Sequence, residues 1–227
     1  MAVYAIGDIH GCIATLDALL DRLAPKDDDH LIFIGDYIDR GPDSKAVIDR
    51  LLELEKTTEL GTGPRCTFLR GNHDQMMLDY VDFPGDPDVY ELWTINGGLS
   101  TLNSYVEDGR LVLPDAHVDF LRRTELVHET DDFVFVHAGL NPKKSIAENL
   151  NPIDPQVALW TRSHLKAKLK KWEKPVVCGH TPQREPINDS LLINIDTGAV
   201  YNHIEGLGVL TAVKLPEREF TQVQFEG

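Results

Sequence analysis

An α/β fold is predicted by two features that recur along the chain. Short apolar runs of about four residues each end in Gly, Asp, Asn or His, and the stretches between them carry apolar residues at helical spacing. The clearest run is Leu31-Ile32-Phe33-Ile34, which passes into Gly35-Asp36-Tyr37-Ile38-Asp39-Arg40-Gly41. Four apolar residues bounded by polar turn chemistry read as a buried strand. Carboxylates and an arginine released at its C-terminal end stand where open α/β sheets collect ligands. A length of 227 residues with 42% hydrophobic content fits one domain, residues 1–227, around a core that needs no staples.

The elements follow in order. Val3-Tyr4-Ala5-Ile6 is the first strand and leads into Gly7-Asp8-Ile9-His10-Gly11, after which Ile13, Leu16, Leu19, Leu20 and Leu23 mark a helix that Pro25 ends. Leu31 to Ile34 is the second strand. A helix capped by Asp43 or Ser44 follows, with Val47, Ile48, Leu51, Leu52 and Leu54 on its apolar side. Cys66-Thr67-Phe68-Leu69 is the third strand and runs into Arg70-Gly71-Asn72-His73-Asp74. From about 75 to 123 the strand rhythm stops, and helical segments divided by Pro84, Pro87, Gly109 and Pro114 read as an insertion that packs on the sheet or overhangs its rim. Strands resume at Leu126 to His128 and at Phe133 to Val136, the latter leading to His137-Ala138-Gly139. Val157 to Lys171 reads as mostly helical. Pro175 to Cys178 leads to Gly179-His180-Thr181, Leu191 to Ile195 leads to Asp196-Thr197-Gly198, and Val209 to Lys214 and Phe220 to Gln224 complete the strands.

Composition excludes several classes. A net charge of −15 with no basic stripe argues against a stable nucleic-acid partner. An acidic body also repels anionic substrates, so phosphate chemistry would need local positive charge from metals or arginines. Cys12, Cys66 and Cys178 form no Cys-x-x-Cys pair and cannot make a complete disulfide framework, which favours a reducing compartment. The first residues lack the basic and apolar regions of a signal peptide, and no apolar run is long enough to span a bilayer. The expected location is cytoplasmic, with no membrane partner; oligomeric state is left open.

The strand ends bring together Asp8, His10, Asp36, Asn72, His137 and His180, with no thiolate among them. Mixed carboxylate, imidazole and amide-oxygen donors suit borderline or hard divalent ions and not a cysteine-rich structural zinc site. Six ligands exceed what one catalytic ion with an open position takes; they suit two ions about 3.5–4 Å apart sharing one carboxylate. Asp36, central in the chain and in the richest motif, is the expected bridge.

The ordered set Gly7-Asp8-Ile9-His10-Gly11, Gly35-Asp36-Tyr37-Ile38-Asp39-Arg40-Gly41, Gly71-Asn72-His73-Asp74, His137-Ala138-Gly139 and Gly179-His180-Thr181 resembles the calcineurin-like metallophosphoesterases. Arg40 after Asp39, and Arg70 two positions before Asn72, make it similar to their phosphoprotein-phosphatase (serine/threonine phosphatase) branch in its small bacterial and phage form. The resemblance runs from Asp8 to about Val213. It implies a four-layer α/β/β/α sandwich with two mixed sheets. It also implies that Asp8, His10 and Asp36 hold one divalent ion and Asp36, Asn72, His137 and His180 the other. Manganese is the first expectation, with iron, zinc, nickel and magnesium as alternatives.

In the mechanism so implied, a metal-bridging hydroxide attacks phosphorus in line, His73 protonates the leaving oxygen, and Asp39 orients His73. Arg40, Arg70 and Arg162 grip the phosphoryl oxygens, to which the planar guanidinium is matched. The implied function is a phosphoesterase acting on phosphorylated proteins or peptides, as a serine/threonine phosphatase, or on small phosphoesters. A dinucleoside tetraphosphate hydrolase or RNA-cap-cleaving pyrophosphohydrolase is the alternative, and a non-catalytic metal-binding scaffold the remote one.

Other features have plainer readings. His30, His117, His128, His164 and His203 read as hydrogen-bonded structural residues, and Asp196-Thr197-Gly198 as a turn with no ligand role. Lys166, Lys168, Lys170, Lys171 and Lys174 with Leu165, Leu169 and Trp172 read as a surface helix; docking of acidic phosphopeptides or oligophosphates is the sharper alternative. Trp93, Asn96-Gly97-Gly98, Thr101-Leu102 and Ser104-Tyr105 resemble a segment of bacterial relatives, read as helix packing with a cover over the pocket as the alternative. The connection Asn202 to Gly208 is longer than the glycine turn usual in relatives, which loosens any inference about substrate preference.

Overall fold

Alternation along the strands decides the layers. A computed structural model describes residues 1–227. In β1 (Val3–Ile6), Ile6 faces one core and Ala5 another; beyond α1 (Ile13–Leu23), β2 (His30–Phe33) sends Leu31 and Phe33 to the first core and Ile32 to the second. Successive side chains of a strand point to opposite faces, so a run apolar at every position must be covered on both. After α2 (Ser44–Leu60), β3 (Arg65–Phe68) adds the third parallel strand, in the order β1-β2-β3. Asp43 is the cap of α2, accepting the Ala46 N–H at 2.9 Å, which leaves Ser44 for another partner.

The insertion comprises α3 (Asn72–Asp82), α4 (Pro87–Trp93), a π-helical turn (Thr94–Gly98), α5 (Leu99–Ser104), a hairpin of β4 (Val106–Glu107) and β5 (Arg110–Leu111), and α6 (Asp115–Arg123). Pro87 is the first residue of α4, where its missing N–H has no helical role. Where the breaker Gly109 predicted an interruption, the chain makes the small hairpin.

The second sheet follows: β6 (Val127–Glu129), β7 (Val134–Val136), then α7 (Ile146–Leu150), α8 (Pro155–Trp160), β8 (Val176–Cys178), β9 (Ile187–Asn188) and β10 (Leu192–Asn194), ordered β6-β7-β8-β10-β9. β11 (Asp196–Thr197), β12 (Val209–Leu215) and β13 (Glu219–Gln224) return to the first sheet, with β12 antiparallel to β1. Both sheets are mixed.

Phe135, Val177 and Ile193 of the second sheet meet Ala5, Ile32 and Val213 of the first in the middle core. Val134, Val136, Val176 and Leu192 point outward to Ile146 and Ala158 of α7 and α8, while α1, α2, α3 and α6 cover the other outer face. The architecture is an α/β/β/α sandwich, as the motifs implied. Each fully buried Phe, Ile or Leu contributes about 1.5–3 kcal/mol relative to exposure. No helix is long and apolar enough to cross a membrane.

The region read as mostly helical from Val157 to Lys171 departs from that reading. α8 stops at Trp160, a short 3₁₀ turn occupies Ser163–Lys166, and Lys168, Lys170, Lys171 and Lys174 lie on irregular backbone. Tertiary contacts outweigh propensity here: His164 is fully buried, and Trp172 is buried with its Nε1–H donated to the Asn141 carbonyl at 3.1 Å. Leu169, expected on the same apolar stripe, is 88% exposed.

Candidate active site

Five loops leave the strand ends and meet between the two sheets. Asp8 and His10 follow β1, Asp36, Asp39 and Arg40 follow β2, Asn72 and His73 open α3 after β3, His137 follows β7 and His180 follows β8. Asp8, His10, Asp36, Asp39, Asn72, His73, His137 and His180 are all buried. Of the eight non-glycine residues with positive φ, five lie in these loops: His10 (47°), Asp36 (53°), Asp39 (73°), Arg40 (69°) and His180 (65°). Each such residue costs on the order of 1–3 kcal/mol, so surrounding bonds must hold it there. The loops are laced together accordingly: His10 N–H donates to the Asp36 carbonyl at 2.9 Å, and Gly11 N–H to the Tyr37 carbonyl at 2.8 Å.

Asp36 is at the centre. Its Oδ1 accepts the His73 N–H at 3.0 Å, while its Oδ2 lies 3.5 Å from His10 Nε2 and 3.4 Å from His137 Nε2. A Cβ on Gly71 would overlap both Oδ1 and the backbone nitrogen of Asp36, so only glycine allows this approach. Asn72 Oδ1 stands 3.0 Å from His137 Nε2 and 2.7 Å from His180 Nδ1. Asp8 Oδ2 accepts the His180 backbone N–H at 3.0 Å.

The donor set fits divalent cations on three grounds. His10 Nδ1 meets the Ile38 carbonyl at 2.8 Å and His137 Nδ1 the Ile34 carbonyl at 3.0 Å. A carbonyl only accepts, so both Nδ1 atoms carry the proton and both Nε2 atoms of the neutral rings are bare lone pairs. Burial holds the pKa values of His10 and His137 below the ordinary histidine range, which keeps those rings neutral. The unprotonated His137 nitrogen faces the Asn72 amide oxygen and the Asp36 carboxylate, acceptor against acceptors, an arrangement a shared cation resolves. His10 Nε2 faces the same Asp36 oxygen but takes a hydrogen bond from Arg40 Nη1 at 2.8 Å. Finally, Asp8 Oδ1 and His180 Nε2 are buried without any hydrogen-bond partner. His10, Asp36 and His73 form one compact group of potential ligand atoms and Asp36, His137 and His180 another, with Asp36 common to both. His73 Nδ1 is engaged by Asp39 Oδ2 at 2.6 Å, which distinguishes it from the other imidazoles.

Charge follows the same pattern. Burial pushes the Asp36 carboxyl up, while the imidazoles of His137, His73, His10 and His180 pull it down to the extent that they hold a second proton. Asp8 is pushed up by burial and by Asp196 and Asp36. His180 is lowered to about 3, by burial and then by His137.

The arginines separate. Arg40 is at the site: its Nη1 lies 2.8 Å from His10 Nε2, and its guanidinium stacks 5.6 Å from the Tyr201 ring centre. Arg70, expected on the phosphate, turns away. Its Nε–H donates to Thr124 Oγ1 at 3.0 Å and its Nη1 to Gln75 Oε1 at 3.0 Å. Its Nη2 serves the carbonyls of Leu121, Arg122 and Thr124 at 3.2, 2.9 and 3.2 Å. It caps the C-terminus of α6, where helix carbonyls lack partners. Arg162 is exposed at the rim and close enough for its charge to lower the His180 pKa.

Three site neighbours were not assigned roles from the sequence. Asp74 accepts the backbone N–H groups of Asp36, Tyr37 and Gly71 at 2.9, 3.1 and 2.8 Å. Asp196 is buried beside Asp8, with its carboxyl pushed up to about 7 by burial and by Asp36. Trp93 Nε1 reaches Asp39. All three lay in stretches the sequence singled out, Asp74 in Gly71-Asn72-His73-Asp74, Asp196 in a turn and Trp93 in a motif, none with a role.

This chain belongs to the calcineurin-like phosphoesterase family, whose sequence profile matches residues 1–202. It is 35% identical over 149 residues to a symmetrical bis(5'-nucleosyl)-tetraphosphatase of Nitrosomonas europaea, covering 65% of this chain and 48% of that protein. The chain thus spans about half the length of that relative. It is 27% identical to the asymmetrical bis(5'-nucleosyl)-tetraphosphatase PrpE of Halalkalibacterium halodurans, over 96% of this chain and 92% of that one. Its fold is shared with the crystal structure of a protein provisionally named a diadenosine tetraphosphatase, at a TM-score of 0.70 and 23% identity, covering 100% of this chain and 94% of that one.

Proposed function

We propose that this protein is a two-metal hydrolase of dinucleoside tetraphosphates. Asp8, His10 and Asp36 hold one divalent ion, and Asp36, Asn72, His137 and His180 hold the other, manganese first among the candidates. The observation that carries the metal reading is the pair of bare Nε2 atoms on His10 and His137, 3.5 and 3.4 Å from the same Asp36 oxygen. The substrate reading rests on the relatives' names. They favour a dinucleoside tetraphosphate over the phosphoprotein first expected, and the match to the Halalkalibacterium halodurans protein runs along nearly the whole of both chains.

Divalent ions in these sites supply an activated water and neutralise charge on the phosphates. The remaining work falls to side chains. Asp39 accepts the Nδ1–H of His73 at 2.6 Å, which fixes the ring and leaves Nε2 to carry the proton delivered to the departing oxygen. Arg40, with Nη1 2.8 Å from His10 Nε2 and its guanidinium against the Tyr201 ring, stands where it would grip a phosphoryl oxygen. Arg162 adds positive charge at the rim, where a polyphosphate approaching a body of net charge −15 needs it.

The test compares diadenosine tetraphosphate with a panel of phosphoserine and phosphothreonine peptides, with manganese present and products separated by chromatography. Faster turnover of the dinucleotide is expected, with the nucleotide products distinguishing symmetrical from asymmetrical cleavage. Faster turnover of phosphopeptides would return the reading to a protein phosphatase. Metal binding without turnover of either would support the scaffold reading.

A further inference from the structure

The helical insertion reaches into the His73–Asp39 pair. Trp93, the last residue of α4, is fully buried and places its Nε1–H 3.0 Å from both carboxylate oxygens of Asp39. Thr101, in α5, donates its hydroxyl to Asp39 Oδ1 at 2.6 Å, and Thr101 Oγ1 in turn accepts the Asp39 backbone N–H at 2.9 Å. Ser44 Oγ lies 2.9 Å from that hydroxyl and also accepts the Asp39 N–H, at 3.0 Å. Between Trp93 and Thr101 the π-helical turn offers the Gly97 carbonyl to the Arg40 N–H at 3.2 Å. Gly97 has φ +112°, and a Cβ there would lie 2.7 Å from Arg40 Cγ. The motif set aside as helix packing therefore grips two consecutive residues of the loop after β2, both in the left-handed region.

We propose that Trp93 and Thr101 are positioning residues for the His73–Asp39 pair, so that the insertion sets the aim of the proton donor and not merely the cover of the pocket. Asp39 has two oxygens and must direct one at His73 Nδ1. The indole N–H, a donor that cannot turn into an acceptor, and the Thr101 hydroxyl hold the carboxylate plane so that Oδ2 faces His73. Without them a carboxylate on strained backbone could rotate, and the His73 ring would lose its fixed orientation. This inference rests on the phosphoesterase reading for its catalytic consequence, but the hydrogen bonds themselves do not depend on it.

The experiment uses Trp93→Phe, Thr101→Val and the conservative Thr101→Ser on the full chain with manganese, each against an aryl phosphate series. Loss of one charge-assisted bond is expected to lower kcat on phenyl phosphate about tenfold. The loss on p-nitrophenyl phosphate, whose leaving group needs little protonation, is expected to be smaller. KM and metal content should hold, and Thr101→Ser should restore the rate. In a His73→Asn background, adding either substitution should change kcat by less than about twofold, because a positioning residue acts through the group it positions. Equal losses on both substrates, or an undiminished further loss without His73, would overturn the proposal.

A second readout needs no turnover: the His73 Nδ1–H proton resonance, recorded on metal-free protein, should shift or broaden in Trp93→Phe and Thr101→Val. An unchanged resonance counts against the proposal. Failure of the phosphoesterase reading would show separately, as a wild type with this resonance in place and no hydrolysis.

Discussion

Asp74 Oδ2 lies 2.9 Å from the backbone nitrogen of Asp36 and accepts its N–H, so one buried carboxylate carries the main chain of another. The same side chain holds Tyr37 N–H and Gly71 N–H at 3.1 and 2.8 Å, which knots the loop after β2 to the start of α3. Asp74→Ala should leave three buried N–H groups unpaired and lower stability by at least about 3 kcal/mol, at about 1–3 kcal/mol for each unsatisfied group. Denaturant unfolding of the metal-free protein checks this; a loss under about 1 kcal/mol would remove Asp74 from the supporting role.

Arg70 and Arg40 should answer substitution in opposite ways. Arg70→Ala strips the α6 carbonyls and Thr124 of their donor, so its melting temperature should fall while KM for a small phosphoester stays near that of the wild type. Arg40→Ala should raise KM or lower kcat by about tenfold or more with little change in melting temperature. A parallel thermal and kinetic series decides, and the reverse pattern would place Arg70 on the substrate.

Asp36→Asn keeps the shape but halves the anionic oxygens at the point where two groups of ligand atoms meet. Isothermal titration of the metal-free protein with manganese should show two bound ions in the wild type and a loss of at least one in the variant. Two ions held with unchanged affinity would rule out the shared-carboxylate arrangement.

The metal-free protein should lose stability between about pH 7 and 8. Asp74 and Asp196 are each pushed up to about 7, by burial and then by the Asp36 charge, with the backbone bonds of each opposing the shift. Their unfolded values lie near 4, so the folded state holds the extra protons; the stability they contribute is present below about pH 4 and lost as pH rises through about 7. His180, lowered to about 3, and His30 and His164, lowered to about 4, all by burial, work the other way, losing stability as pH falls below about 6.5. His10, His137, His117 and His128, also lowered by burial, add to that side, and Asp8, raised by burial and then by Asp196 and Asp36, adds to the carboxylates. Above about pH 7 the unfolded histidines are already mostly neutral and the carboxylates dominate, at no more than about 1.4 kcal/mol per pH unit for each. Melting curves in chelator should fall across this window, manganese should reverse the fall, and Asp196→Asn should flatten it. A melting temperature that rises from about pH 7 to 8 would contradict the assignment.

The order of the motifs along the chain was enough to name the α/β class, the strand ends and the six donors that the structure brings together. Each of those residues sits directly after a run such as Leu31-Ile32-Phe33-Ile34, and strand continuity places it at the same rim whatever the distant chain does. The position of Arg70 was not legible in this way. An arginine beside a site motif can point into the site or out of it, and the carbonyls left unpaired at the end of α6, over fifty residues later, turn it outward. The break of the helix after Trp160 was hidden for the same reason, because burial of His164 and Trp172 against other loops outweighs local propensity. Sequence by itself determined which atoms could serve as ligands and at which strand ends they lie. Only the tertiary structure decided which side chains hold those atoms still: Asp74 behind Asp36, and Trp93 and Thr101 around Asp39. Such support is made by hydrogen bonds between residues up to sixty-two positions apart, and no local pattern encodes which distant donor a buried carboxylate will meet.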